Sequence, residues 1–230
     1  MLKMLGNLQE KDKIAATQSL IAHSSPSPYY FFMITLSVLM ATLGFLLNSI
    51  TIIIGSMLIA PMLYPMLSLA LGFIISDNKL ISRSSITLLK SVLISIVFGF
   101  IAALSFSSLA ISDPVNDLAS QMTPSIIYFC VSIIAGLAAT FSLVKPNASE
   151  TLPGVAISVS LIPPLSVIAI GLVRLNWSMV SSASILFLIN VLGIILASMI
   201  SFSLMQFLKE RRIADKCVDD ECKELKNQAK

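Results

Sequence analysis

The sequence predicts an all-α polytopic membrane protein of about six transmembrane helices, built as two inverted three-helix repeats with Pro-broken second and fifth helices. Three observations carry this. Of 230 residues, 56% are hydrophobic and 12% charged, about half the charge of a soluble domain, and the mean hydropathy is +0.92. Several apolar runs exceed the roughly 20 residues that cross a bilayer core. Two of these runs carry paired prolines: Pro61 and Pro65 in GSMLIAPMLYP, and Pro163 and Pro164 in GVAISVSLIPP. Backbone N–H and C=O groups cannot be left bare in lipid, so spans are helices or a closed barrel. The runs are continuous rather than alternating, which excludes the barrel.

The chain divides into a cytoplasmic or interfacial segment (1–28), a transmembrane domain (29–208) and a charged cytoplasmic tail (209–230). In residues 1–24, Leu2, Leu5, Leu8, Ile14, Leu20 and Ile21 fall loosely on one side of a helix and Lys3, Lys11 and Lys13 elsewhere. Such a helix lies on the membrane surface or stays a solvated tail. It has no apolar core ahead of a small-residue cleavage site, so no signal peptide is expected. The Ser-Pro run 24–28 ends it.

The first span covers 29–47, opening on the interfacial Tyr29 and Tyr30, and Asn48-Ser49 turns the chain. The second covers 50–75 and holds Pro61 and Pro65. The third covers 85–111 with Lys90 near its start, the fourth 124–144, and the fifth 153–173. Ser149, Glu150 and Pro153 suit the fifth span's N-terminus: a hydroxyl cap, an acid at the positive dipole end, a proline early in the helix. Arg174 to Trp177 make a tight connection, and the sixth span covers 179–208. Thirteen Lys and Arg flank the spans on one side, against Arg174 alone on the other, so both termini are placed in the cytoplasm of a cell inner membrane.

The two halves, 29–111 and 124–208, repeat the Asn/Gly/Pro punctuation: Asn48 and Asn147 each stand seven residues before Gly55 and Gly154. The cores LIAPM and LIPPL align at an offset of 103, and LKSV with INVL near 100, which pairs Lys90 with Asn190. Three spans per half turn the second half upside down, as in inverted-repeat transporters.

Proline in a helix removes a donor and clashes with the carbonyl four residues earlier. Freed carbonyls can hold cations and freed N–H groups anions. Gly55, Ser56, Pro61, Pro65, Gly154, Ser158, Ser160, Pro163 and Pro164 are therefore the candidate substrate-binding residues, with Lys90 and Asn190. Each also has a plain structural reading. Prolines kink, glycines admit close helix packing, Lys90 snorkels to headgroups, and Asn190 bonds a neighbouring helix. No catalytic constellation, cofactor motif or metal set is evident, since His23 lies outside the spans and Cys130, Cys217 and Cys222 lack further ligands.

The stretches GSMLIAPMLYPMLSLALG, LPGVAISVSLIPPLSVIAIGL and LFLINVLGIILAS resemble the bacterial and archaeal membrane proteins grouped as domain of unknown function 389, over about residues 30–205. Tyr64 stands where that family has Gly, which counts against very close backbone approach there. The resemblance implies an integral inner-membrane protein of about six spans and no established substrate. It also implies an extra soluble domain in many relatives, where this chain has the short segment 1–28.

The expectation is a non-enzymatic transporter or channel for a small solute or ion, with its site between the two Pro-bearing helices near mid-membrane. The alternative is a non-transporting anchor or scaffold acting through the tail 209–230. Expected partners are the lipid bilayer and the solute; a homo-oligomer is compatible with the sequence, and nucleic acid is not, because the basic tail is mixed with acids.

Overall fold

A computed structural model describes residues 15–21, 27–106, 124–144 and 151–205, with the backbone alone for 151–156 and 159. The described residues are helical and include no strand. Besides a short helical stretch at 15–21, the helices are α1 (Pro28–Leu46), α2 (Ile50–Met57), α3 (Leu63–Ile75), α4 (Asn78–Phe106), α5 (Ile126–Val144), α6 (Thr151–Val173) and α7 (Trp177–Leu204). Four of them (α1, α4, α5 and α7) are long and apolar enough to cross a membrane. The sequence limits hold closely for α1 and α5. By contrast α4 starts seven residues earlier than expected, because Asp77 Oδ1 accepts from the N–H groups of Lys79 and Leu80 and caps the helix.

Three corners share one construction. Gly44, Gly72 and Gly171 are each followed four residues later by a residue with positive φ: Asn48 (51°), Ser76 (55°) and Leu175 (53°). The next N–H then returns to the glycine carbonyl: Ser49 to Gly44 at 2.8 Å, Asp77 to Gly72 at 3.1 Å, Asn176 to Gly171 at 2.9 Å. This is a Schellman closure whose last residue opens the following helix, so the two helices are antiparallel neighbours. A β-carbon on any of the three glycines would lie 2.8–2.9 Å from the Ile53, Ile81 or Val180 side chain, nine residues on.

The bundle packs through small residues, as expected where lipid and side chains are equally apolar. The buried face of α4 is Leu80, Ser84, Thr87, Ser91, Ser95, Gly99, Ala102 and Ala103. A β-carbon at Gly99 would meet Ala169 of α6 at 2.8 Å, and one at Gly136 of α5 would meet the Ile194 carbonyl of α7 at 2.7 Å. α1 packs on α4, α5 on α7, α4 on α6, and α7 on α3.

The stretch 15–21 packs on the bundle: Ala16, Thr17, Leu20 and Ile21 are buried, Ser68 Oγ of α3 donates to the Leu20 carbonyl at 2.9 Å, and the residues between them stay exposed or half-buried. The tail 209–230, with Cys217 and Cys222, lies outside the described residues, as do His23, Asn147 and Glu150.

Candidate functional site

The first proline motif breaks its helix. α2 ends at Met57, residues 58–62 are non-helical, and α3 restarts at Leu63. Pro61 sits in the break, where it can give no N–H to the carbonyl of Met57. Pro65 interrupts nothing: it is the third residue of α3, in the turn whose N–H groups have no intrahelical partner in any case.

The second motif does not break its helix, contrary to the sequence expectation. α6 runs unbroken from Thr151 to Val173 with Pro163 and Pro164 inside it. One of the two donors that these prolines remove is supplied from elsewhere. Pro164 has no N–H for the carbonyl of Ser160, and Asn190 Nδ2 of α7 donates to that carbonyl at 2.8 Å. A side chain thirty residues along thus replaces the missing rung.

The break in the first motif is closed in the same way. Ser37 Oγ of α1 donates to the Ser56 carbonyl at 2.7 Å, and the Ile59 N–H shares that carbonyl at 3.2 Å. Ser158 Oγ of α6 donates to the Ala60 carbonyl at 2.7 Å and ties the two motifs directly together. Ser56 Oγ turns back on the Ile53 carbonyl at 2.6 Å, and Ser166 Oγ on Ile162 at 3.3 Å. An uncapped carbonyl in hydrocarbon costs several kcal/mol, so the Ser37 and Ser158 hydroxyls are what let the break persist.

The structure therefore gathers Ser56, Pro61, Ser158, Ser160, Pro163, Pro164 and Asn190 into one buried region between α2–α3, α6 and α7. Gly55 faces α1, where a β-carbon would meet Met40 Cε at 3.0 Å, which is the packing role. Gly154 lies in the first turns of α6.

Lys90 does not join this region. The longer α4 puts it thirteenth in the helix rather than near its start, and it is exposed on the outer face, one residue from the buried Ser91. That exposure is compatible with the snorkelling reading, since helical side chains lean toward the N-terminal end. The residue at the inner face is Ser91, whose Oγ donates to the Thr87 carbonyl at 2.7 Å and meets Tyr30 Oη at 3.1 Å.

Sequence reasoning missed Ser37, which nothing in its own surroundings marks. It also missed a cavity of about 240 Å³ beside the break, lined by α3, α4, α6 and α7, with Met62 and Leu161 among its walls. Asn190 Oδ1 and the hydroxyls of Thr42 and Ser95 are buried and meet no partner among the described residues. Those residues also hold no cluster of three metal-ligating side chains.

A family model described as "Domain of unknown function (DUF389)" matches residues 57–196, which takes in the break, both proline pairs and Asn190. The chain belongs to the DUF389 family. An uncharacterized protein of Methanocaldococcus jannaschii is similar to this DUF389 chain, 33% identical over 175 residues, covering 74% of the chain and 52% of the relative. The DUF389 chain thus spans about half the length of that curated relative. No solved structure matches it.

Proposed function

We propose that this DUF389 protein is a membrane transporter or channel for a small solute or ion. Its site lies where the broken α2–α3 meets the proline-bearing α6. The observation that carries the reading is the 2.7 Å bond from Ser158 Oγ to the Ala60 carbonyl, which seats an irregular backbone stretch against the matching motif. Non-helical backbone deep in a membrane is tolerated where protein buries it or a cavity adjoins it, and transporters use it for binding.

The reading includes an inverted repeat, for which the residue spacing and the burial pattern speak. A single offset of 99 pairs Gly55 with Gly154, Pro65 with Pro164, Gly72 with Gly171, Asp77 with Asn176 and Ile81 with Val180, without the slip that the proline cores alone suggest. It pairs Ser91, not Lys90, with Asn190. The buried positions Ser84, Thr87, Ser91, Ser95, Gly99, Ala102 and Ala103 of α4 carry over at that offset to buried positions of α7: Ala183, Leu186, Asn190, Ile194, Ser198, Ser201 and Phe202. Packing exchanges in the same sense, with α4 on α6 and α7 on α3. In this account α2–α3 and α6 each make one span, giving six, with both termini in the cytoplasm as the Lys and Arg placement favours.

The hydroxyl and amide caps are the working parts. Each is a short side chain whose bond to a backbone carbonyl would part as the break opens for the solute and re-form as it reseals. No chemical conversion of the solute is involved.

Flux in proteoliposomes against a panel of anions, cations, amino acids and uncharged solutes tests this. Ser158→Ala and Pro61→Ala should change the flux of a panel member while the protein still purifies as a folded species. Zero flux across the panel counts against transport. Flux and folding lost together would reduce the motif to a structural role.

A further inference from the structure

Across the helix break from Ser158 lies a groove between α4 and α7. Leu88 and Val92 form one half-buried wall, and Phe187 and Val191 the other. Met62, the last residue of the break, and Leu161, the neighbour of Ser160, are fully buried at its floor. At the offset of 99 these six residues form three pairs: Met62 with Leu161, Leu88 with Phe187, and Val92 with Val191. The groove is therefore lined from matching positions of the two halves, and its floor adjoins the proposed site.

The lining is apolar except for Ser85. The rim residue Leu89 is 60% exposed and twelfth of the 29 residues of α4, so the groove opens near the middle of a helix about 43 Å long. The medium at that depth is hydrocarbon. Among the described residues no charged side chain lines the groove, and Lys90 falls on the other flank of α4. The carbonyls of Ser56, Ala60 and Ser160 beneath it already hold donors. An ion arriving at these walls would give up its hydration for the Ser85 hydroxyl and little else.

We infer that the groove binds a small uncharged apolar solute that partitions into the bilayer core, and that it is the lateral entrance by which this solute reaches the break. This substrate class rests on the transport reading above. The size fits. Apolar cavities of about 150 Å³ stay dry and accept benzene. The roughly 240 Å³ here leaves room for such a ring and a few further carbons, yet falls below the ~300–1,000 Å³ of drug-sized sites. A whole phospholipid does not fit. Because bilayer hydrocarbon is as apolar as the groove, affinity comes from shape and dispersion alone, and release is correspondingly easy.

The test uses the full chain in proteoliposomes and the photoreactive probe trifluoromethyl-phenyldiazirine, with labelled residues mapped by mass spectrometry. The expected result is labelling at Met62, Leu88 or Val191 that excess trifluoromethylbenzene suppresses by about tenfold. Labelling of the outward Val97 and Ile101 should resist the competitor. Val191→Phe, and independently Val92→Phe from the opposite wall, should each remove the suppressible labelling.

Groove labelling that the competitor leaves untouched would mean lipid chains only and would overturn the proposal. Cross-links between two chains through a cysteine at position 89, without groove labelling, would assign the groove to a second copy and overturn it equally. Suppressible labelling with no flux for any solute would uphold the binding site and sink the transport reading. Flux of a solute that both Phe variants leave unchanged would sink the lateral entrance and leave transport standing.

Discussion

Asn190→Leu tests whether the amide of α7 stands in for the donor that Pro164 removes from α6. Asn190 is 2% exposed, and its Nδ2 lies 2.8 Å from the Ser160 carbonyl. Taking the donor away leaves a buried carbonyl short of a partner, at ~1–3 kcal/mol by soluble-protein standards. Within membranes such bonds average ~0.6 and reach ~1.7 kcal/mol. Leucine also removes Oδ1, which is buried and unpaired among the described residues, and this offsets part of the loss. The net expectation is a destabilisation of about 1 kcal/mol. Pro164→Ala restores an N–H four residues after Ser160, so the helix can bond its own carbonyl. In that background Asn190→Leu should cost nothing or stabilise. The double-mutant cycle, read by SDS-driven unfolding in mixed micelles, should therefore show a coupling of about 1 kcal/mol. Additive effects, within ~0.3 kcal/mol, would refute the substitution of one donor for the other.

Gly136→Val should destabilise by ~1–3 kcal/mol in the same unfolding assay, because even its first carbon would sit 2.7 Å from the Ile194 carbonyl, which is backbone and cannot step aside. Ser68→Ala should loosen the stretch 15–21 by removing the 2.9 Å bond to the Leu20 carbonyl. In a variant without the native cysteines, a cysteine at position 20 should then react several-fold faster with a membrane-impermeant maleimide, about what a loss of ~1 kcal/mol allows. Lys90→Gln should change stability by less than ~0.5 kcal/mol and leave flux unaltered, since Lys90 is exposed on the outer face; a large drop in flux would contradict its placement.

The helix break was legible because its cause is local: Pro61 lacks an N–H wherever it stands. The continuity of α6 was not, because it depends on Asn190, thirty residues from Ser160 and on another helix. The sequence does say that an asparagine in lipid needs a partner, without saying which. Lys90 and Ser91 differ by one residue and 100° of helix, a distinction that apolar alignments blur and burial makes plain. The tight connection at 174–177 was legible, but the left-handed backbone of Leu175 within it was not. A bulky residue at φ 53° is disfavoured, and it is held there by the Gly171 and Asn176 bonds around it rather than by its own preference. The groove was not legible because its walls come from α3, α4, α6 and α7, which meet only in the folded chain.

The most direct measurement of the central claim is flux through a chain whose break can be locked. Cysteines at positions 60 and 158, in a background without the native ones, replace the pair now joined by the 2.7 Å bond from Ser158 Oγ to the Ala60 carbonyl. Oxidation should stop the flux of a transported solute, and reduction should restore it. Equal flux from the oxidised and reduced protein, with the disulfide verified by mass spectrometry, would contradict the account.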